Sequence, residues 1–231
     1  MSDSPIAAMF DRISPKYDAL NHLLSLNIDK VWRRKTAKVV AKKHPKAILD
    51  LATGTADLAI ALAKRNPKAH IIGMDISEKM METGKAKIAK QGLENQVELR
   101  YGDAAKLPFE DNSFDAVTVA FGVRNFEDLA KGLSEISRVL KPSGKAFILE
   151  FSMPERFPVK QLYHLYFRHI LPKIGRIVSK DKNAYAYLPA SVEKFPKPES
   201  FCNLLASNGL KDSQAKRLSL GIATLYVAIK A

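Results

Sequence analysis

The sequence predicts an α/β protein: a doubly wound, mostly parallel seven-stranded sheet with an antiparallel C-terminal hairpin strand at its edge and a helical cap ahead of it. Three observations predict it. Between Ala47 and Ser152, short and nearly unbroken apolar runs rich in β-branched residues alternate with stretches of helical periodicity, the texture of parallel strands covered on both faces. The last two β-like runs, roughly Asp212–Leu218 and Ile222–Ile229, are joined by a short turn at Gly221, which suits an antiparallel pair. Ahead of the sheet, Met9, Phe10, Ile13, Tyr17 and Leu20 recur at helix-like spacing.

Taken in order, residues 5–45 read as helical, and Arg33, Arg34, Lys35, Lys38, Lys42 and Lys43 give that stretch a basic face before Pro45. The first strand is ILDLA from Ile48, followed by a helix to Arg65. HIIGMDI from His70 is the second, followed by a helix from Ser77 to Gln91. VELRYGD and FDAVTVAF are the third and fourth, with a helix from Asp128 to Leu140 before the fifth, KAFILEFS. After Ser152 the alternation breaks. Pro154, Pro158, Pro172, Pro189, Pro196 and Pro198 punctuate an insertion rich in aromatic and basic residues. A helix over 198–208, stopped by Gly209, leads into the terminal hairpin. The whole chain, 1–231, reads as one domain: a cap (1–45), a ligand-binding core (46–152), an insertion (153–200) and a C-terminal helix with strands (201–231).

Composition bounds the function. The chain has 231 residues and is 46% hydrophobic, enough for a substantial core. It has no run of 18 apolar residues to span a membrane and no basic-then-apolar start resembling a signal peptide. One cysteine, Cys202, cannot form an intramolecular disulfide, which suits a reducing, cytoplasmic setting. The five histidines and that cysteine show no metal-ligand spacing, so no metal is expected. A net charge of +13 favours polyanions such as nucleic acid or an anionic lipid surface, although a basic surface also serves solubility alone.

The motif that carries most chemistry is ILDLATGTAD, Ile48–Asp57. Asp50 ends the first strand, and Ala52, Gly54 and Ala56 put small residues at alternate positions before a helix start, where backbone approaches a ligand closely and N–H groups lack partners. The spacing is that of D-x-G-x-G-x-G with alanine at two glycine positions, distinct from the dinucleotide fingerprint. A plain tight turn would look similar. The next strand narrows the reading: it ends at Asp75, placed for a ribose diol, although a carboxylate there also suits a helix N-terminus. The third ends at Gly102-Asp103-Ala104, where an acid suits an adenine amine. No phosphate-binding lysine is present, and Asp57 would repel a diphosphate. An adenosine with a cationic sulfonium and an amino-acid end fits better.

Residues 102–154 then bring a narrower likeness. The phrase Ala120-Phe121-Gly122-Val123-Arg124-Asn125, followed by Leu149-Glu150-Phe151-Ser152, resembles the C-methyltransferase family of ubiquinone and menaquinone biosynthesis. The opening Met9–Asp18, Asn21, Trp32-Arg33, Tyr185–Leu188, Ser191, Phe195-Pro196 and Gly221–Lys230 resemble it too. The likeness implies a class I, Rossmann-like methyltransferase fold, S-adenosyl-L-methionine as cofactor and methylation of a ring carbon of a polyprenylated quinol, foremost demethylmenaquinol. The alternatives are the 2-methoxy-6-polyprenyl-benzoquinol precursor of ubiquinone and, further off, RNA or protein methylation. No RNA-binding module or N/D-P-P-Y-type tetrapeptide speaks for a nucleic-acid partner, so none is expected. By similarity Asp50, Gly54, Thr55, Asp75, Ile76, Asp103, Ala104 and Ala120 hold the cofactor. Arg124 is the candidate phenolate stabiliser, Asn125 the hydroxyl-orienting group and Tyr17 a proton relay; Arg124 also suits a loop salt bridge with Glu127 or Asp128. The basic, aromatic stretch 156–182 suits an anionic membrane surface, with the chain peripheral on the inner face of the plasma membrane, or a helix packed on the sheet. A homodimer stays open. The family usually has GTGD where this chain has Gly54-Thr55-Ala56-Asp57, and KPGG at 141–144. An alanine at 56 is harmless if its φ is negative and costly if not.

Overall fold

The computed structural model describes residues 5–25, 27–166 and 182–231. Two helices come first, α1 (Pro5–Leu24) and α2 (Ile28–Ala41). The strands β1 (Ala47–Leu51), β2 (His70–Asp75), β3 (Val97–Tyr101), β4 (Phe114–Ala120) and β5 (Leu140–Phe151) follow. α3 (Asp57–Arg65), α4 (Glu78–Ala89) and α5 (Leu129–Val139) connect them. Then come α6 (Val159–Leu165), α7 (Lys182–Lys194), α8 (Pro198–Ser207), β6 (Leu210–Leu218) and β7 (Ala223–Lys230).

The sheet runs β3-β2-β1-β4-β5-β7-β6, which is the expected doubly wound form. β1 pairs in parallel with β2 and β4, so the strand order reverses beside β1. That reversal opens a crevice at the carboxyl ends of β1 and β4, where such sheets bind ligands. β7 is antiparallel to both β5 and β6, and so takes the place next to the parallel sheet while β6 forms the edge. The central strands are buried throughout: Ile48, Leu49, Val117, Phe147 and Leu149 have no exposed surface. One apolar layer lies under α5 and α8, with Leu133, Ile136 and Phe201; the other lies under α2 and α3, with Val40, Leu58 and Leu62.

Local chemistry explains the boundaries. Ser77 precedes α4 and its hydroxyl accepts from the Met80 N–H (3.3 Å); Asp128 does the same for α5 through Lys131 (2.9 Å). β5 begins five residues earlier than the apolar run suggests, because Leu140 continues straight out of α5 and Ser143, at φ 63°, bends the strand at an irregular step beside β4. α7 continues through Pro189, where the sequence suggests a break. Arg168, Lys173, Arg176 and Lys180 of the basic stretch lie outside the described residues.

Candidate active site

A cavity of about 480 Å³ opens at the carboxyl ends of β1, β2, β3 and β4, within the range of small-molecule sites. Gly54, Asp75, Ile76, Asp103, Ala104 and Ala120, all expected around a cofactor, line it, and Tyr17 and Asn125 do as well.

The floor is built by backbone. Gly54, at φ +55°, turns its N–H onto the Asp75 carboxylate (2.7 Å), and the Ser77 N–H donates to the other oxygen (2.9 Å). Two loops are thereby locked to one side chain. Burial pushes the Asp75 carboxyl above its ordinary value, against those backbone donors. A carboxylate so held has lone pairs left for a diol. Ala52 and Gly122 bring the β1 and β4 loops into contact: a side chain at 122 would place its first carbon 2.3 Å from the Ala52 methyl. Phe121 sits at φ 60°, a costly conformation for a bulky residue, and stacks on Phe151 (4.4 Å) and Trp32 (5.9 Å). Trp32 in turn donates to Ser219 (2.9 Å), so the wall is braced from β5, α2 and the β6–β7 turn.

α1 closes the cavity from outside with Ile6, Phe10 and Tyr17, the last two edge to face at 5.9 Å. It is fastened by its acids. Asp11 accepts from the Ser77 hydroxyl (2.6 Å), and Asp18 accepts from Thr55 (2.6 Å) and Lys87 (2.9 Å). Lys87 also binds Asp57, which His22 approaches at 3.7 Å. Asp18, His22 and Asp57 are near enough together to meet one metal ion, but the Lys87 ammonium already holds both carboxylates.

Three expected residues do not reach the cavity. Asp50 lies beneath the loop, fully buried, with its oxygens taken by Thr53 (2.7 Å) and Thr118 (2.6 Å); burial pushes its carboxyl up to about 6. It shapes the turn rather than meeting a ligand. Thr55 is buried and turned toward Asp18. Arg124, expected to face a substrate oxygen, instead donates to the buried Glu150 (2.6 Å), to the Phe121 carbonyl (2.5 Å) and to Ser191 (3.3 Å), and lies over the Phe151 ring. Neither Glu127 nor Asp128 is its partner. Removing that guanidinium would strand a buried carboxylate, at a cost of about 3–5 kcal/mol. Of the three strand-tip acids, Asp50 is buried away from the cavity, Asp75 is half-buried on it, and Asp103 is on it but exposed, accepting from the Ala105 N–H (2.9 Å).

Residues that sequence reasoning missed are Tyr101, Met80, Phe126 and Glu127, all on the lining, whereas Ala52, singled out with Gly54, is there as well. Tyr101 directly precedes the Gly102-Asp103 pair already singled out, and Phe126 follows Asn125, so position along the motif was the available signal.

A model of the ubiE/COQ5 methyltransferase family matches residues 1–230. The chain belongs to that family. The methyltransferase is 47% identical over 225 residues to a Bacteroides fragilis protein named demethylmenaquinone methyltransferase, covering 97% of this chain and 92% of that one. It is 45% identical to a Geotalea daltonii protein named ubiquinone/menaquinone biosynthesis C-methyltransferase UbiE, covering 97% and 96%. In fold it is similar to a crystal structure of a SAM-dependent methyltransferase from Aquifex aeolicus, at TM-score 0.59 and 21% identity, over 85% of this chain and 89% of that one. The methyltransferase uses S-adenosyl-L-methionine. The cavity fits that cofactor: Asp75 offers half-buried acceptors for ribose hydroxyls, and Met74, Met80 and Ile76 offer apolar wall.

Proposed function

We propose that this methyltransferase transfers a methyl group to a ring carbon of a polyprenylated quinol, converting demethylmenaquinol to menaquinol. The observation that carries the reading is that the 47% identity to a protein of that name spans 97% of the chain. The Phe121–Asn125 segment that walls the cavity lies within the span. The Geotalea name also admits the benzoquinol precursor of ubiquinone, and competing the two quinols in one rate assay separates them.

When bound, S-adenosyl-L-methionine supplies an electrophilic methyl on a sulfonium. The protein's part is to orient, exclude water and favour the quinol anion. Holding two reacting atoms in line can supply about 7–11 kcal/mol. α1 covers the cavity with Ile6, Phe10 and Tyr17, which keeps water from the reacting atoms. A quinol hydroxyl with a pKa of about 10 is mostly protonated at neutral pH. Asn125 is positioned to favour its anion: the Tyr187 hydroxyl donates to Asn125 Oδ1 (2.9 Å), so the amide N–H₂ is what Asn125 offers the cavity. Asn125 takes the role first assigned to Arg124, and Tyr17 is the proposed proton relay. Asn125→Ala is expected to lower turnover of demethylmenaquinol about a hundredfold, the size of losing one oxyanion donor. Calorimetric affinity for S-adenosylhomocysteine should stay unchanged; a near-normal rate removes Asn125 from the chemistry.

Peripheral membrane association is part of the same reading. Among the described residues no helix is long and apolar enough to cross a membrane. Phe157 (81% exposed), Leu162, Leu165 and Leu220 (76%) nonetheless present apolar side chains to the outside, with exposed Arg156 and Lys160 among them. The turn carrying Leu220 abuts Pro154, so the two segments share one side of the molecule.

A further inference from the structure

A second cavity, of about 300 Å³, lies behind the first. Its apolar wall is Val123, Phe126, Leu129, Ala190, Phe195 and Pro196. Phe126 lines both cavities, so its ring is common to their two walls. That ring rests on Gly132, where a side chain would begin 2.5 Å from Phe126 Cδ2.

Of the polar groups on its lining, Lys194 is exposed to solvent, and two of the others are already committed. The Arg124 guanidinium is bound to Glu150, Phe121 and Ser191, and the Tyr187 hydroxyl points to Asn125 in the first cavity. What those two side chains leave for an occupant is the arginine stem and the face of the phenol. Six of the ten lining residues are apolar, which favours an apolar occupant over an ionic one.

We propose that the second cavity houses the first part of the quinol's hydrocarbon tail. The proposal rests on the polyprenylated-quinol reading above. In demethylmenaquinol the carbon that receives the methyl is bonded to the carbon that carries the tail. A site that holds the ring against the methyl donor must open at once into an apolar space, and the Phe126 wall is where the two cavities meet. Asn125 and Tyr187, hydrogen-bonded across that boundary, then hold the ring oxygen on one side and the start of the tail on the other. This also gives Gly132 a function: it lets Phe126 lie back and shape the passage.

The test compares 1,4-naphthoquinol without a tail with demethylmenaquinols of one and of several isoprene units. Ala190→Trp fills the second cavity from an exposed position on α7, and Leu129→Trp fills it from α5. With either variant kcat/KM for the tailed substrates should fall about tenfold, the worth of two buried methylenes. The tail-less substrate and S-adenosylhomocysteine affinity should be unaffected. An equal fall for tailed and tail-less substrates, or no fall for the tailed ones, overturns the tail site. If the unaltered enzyme methylates none of these quinols, the substrate reading itself fails, and the tail site with it.

Discussion

Ala56 sits at φ +65° directly before α3, a conformation that costs an alanine about 1–2 kcal/mol. Its methyl does not face the cavity. It is fully buried against α4, where a side chain on Gly84 would begin 3.0 Å from Leu99 Cδ1, 3.2 Å from the Ala56 methyl and 3.3 Å from the Thr55 carbonyl carbon. The alanine at a usual glycine position is thus accommodated by a glycine across the contact. In a helix interior Gly84→Ala should gain about 1 kcal/mol, but overpacking here costs about 1–3. Gly84→Ala is expected to destabilise the natural chain and to destabilise it less once Ala56→Gly is present, with a coupling of about 1 kcal/mol in denaturant titrations. Additive effects would show that the two sites do not touch. The substitution at 56 was legible in the sequence; the sign of its φ and its neighbour 28 positions on were not, because neither is a local property. The ion-pair partner of Arg124 was not legible for the same reason. That partner, Glu150, stands on β5, and only the β4–β5 pairing brings them together.

At the scale of elements, α1 is a cover joined to the core by a few hydrogen bonds. Its acids reach Ser77, Thr55 and Lys87, which belong to the same loops and helix that present Gly54 and Asp75 to the ligand. Lys87→Ala should release the middle of α1 without touching the cavity lining. The Lys87–Asp18 pair is about a quarter exposed on each side, so its worth is discounted to about 1 kcal/mol. Expected are faster amide exchange over 5–24 and about fivefold weaker S-adenosylhomocysteine binding. Unchanged exchange would mean that other contacts hold α1. The helices and strands from β1 to α5 were legible nearly to their ends, since apolar periodicity and the Ser77 and Asp128 caps are local signals, whereas the start of β5 and the course of α7 through Pro189 were not. How α1 docks was not, because it depends on acids spaced seven apart, Asp11 and Asp18, meeting partners more than 30 residues away.

At the scale of the molecule, the net charge of +13 and the side carrying Phe157, Leu162, Leu165 and Leu220 belong together in the proposed approach to an anionic leaflet. Co-sedimentation with anionic vesicles should be strong at low salt and weaker at high salt. Phe157→Ser with Leu220→Ser should remove the fraction that salt leaves behind, since apolar insertion is not screened. No binding at low salt would sink the membrane reading. The doubly wound sheet was legible from the alternation of strands and helices. That β7 lies inside β6 was not, because a hairpin at the edge looks alike in sequence whichever of its strands is outermost.

That placement sets an order of events. β6 has no neighbour in the sheet other than β7, although it precedes β7 along the chain. During synthesis the core from β1 to β5 can assemble early, whereas β6 must wait for residues 223–230 before it has anything to join. Until then Ser152 lacks the Gly221 carbonyl and Thr224 hydroxyl that close the loop from β5 to β7. The Ser219 hydroxyl that accepts from Trp32, which packs on Phe121 in the first cavity's wall, also arrives only with this last stretch. A nascent chain would therefore finish the wall of its cavity only as its final strand pair closed.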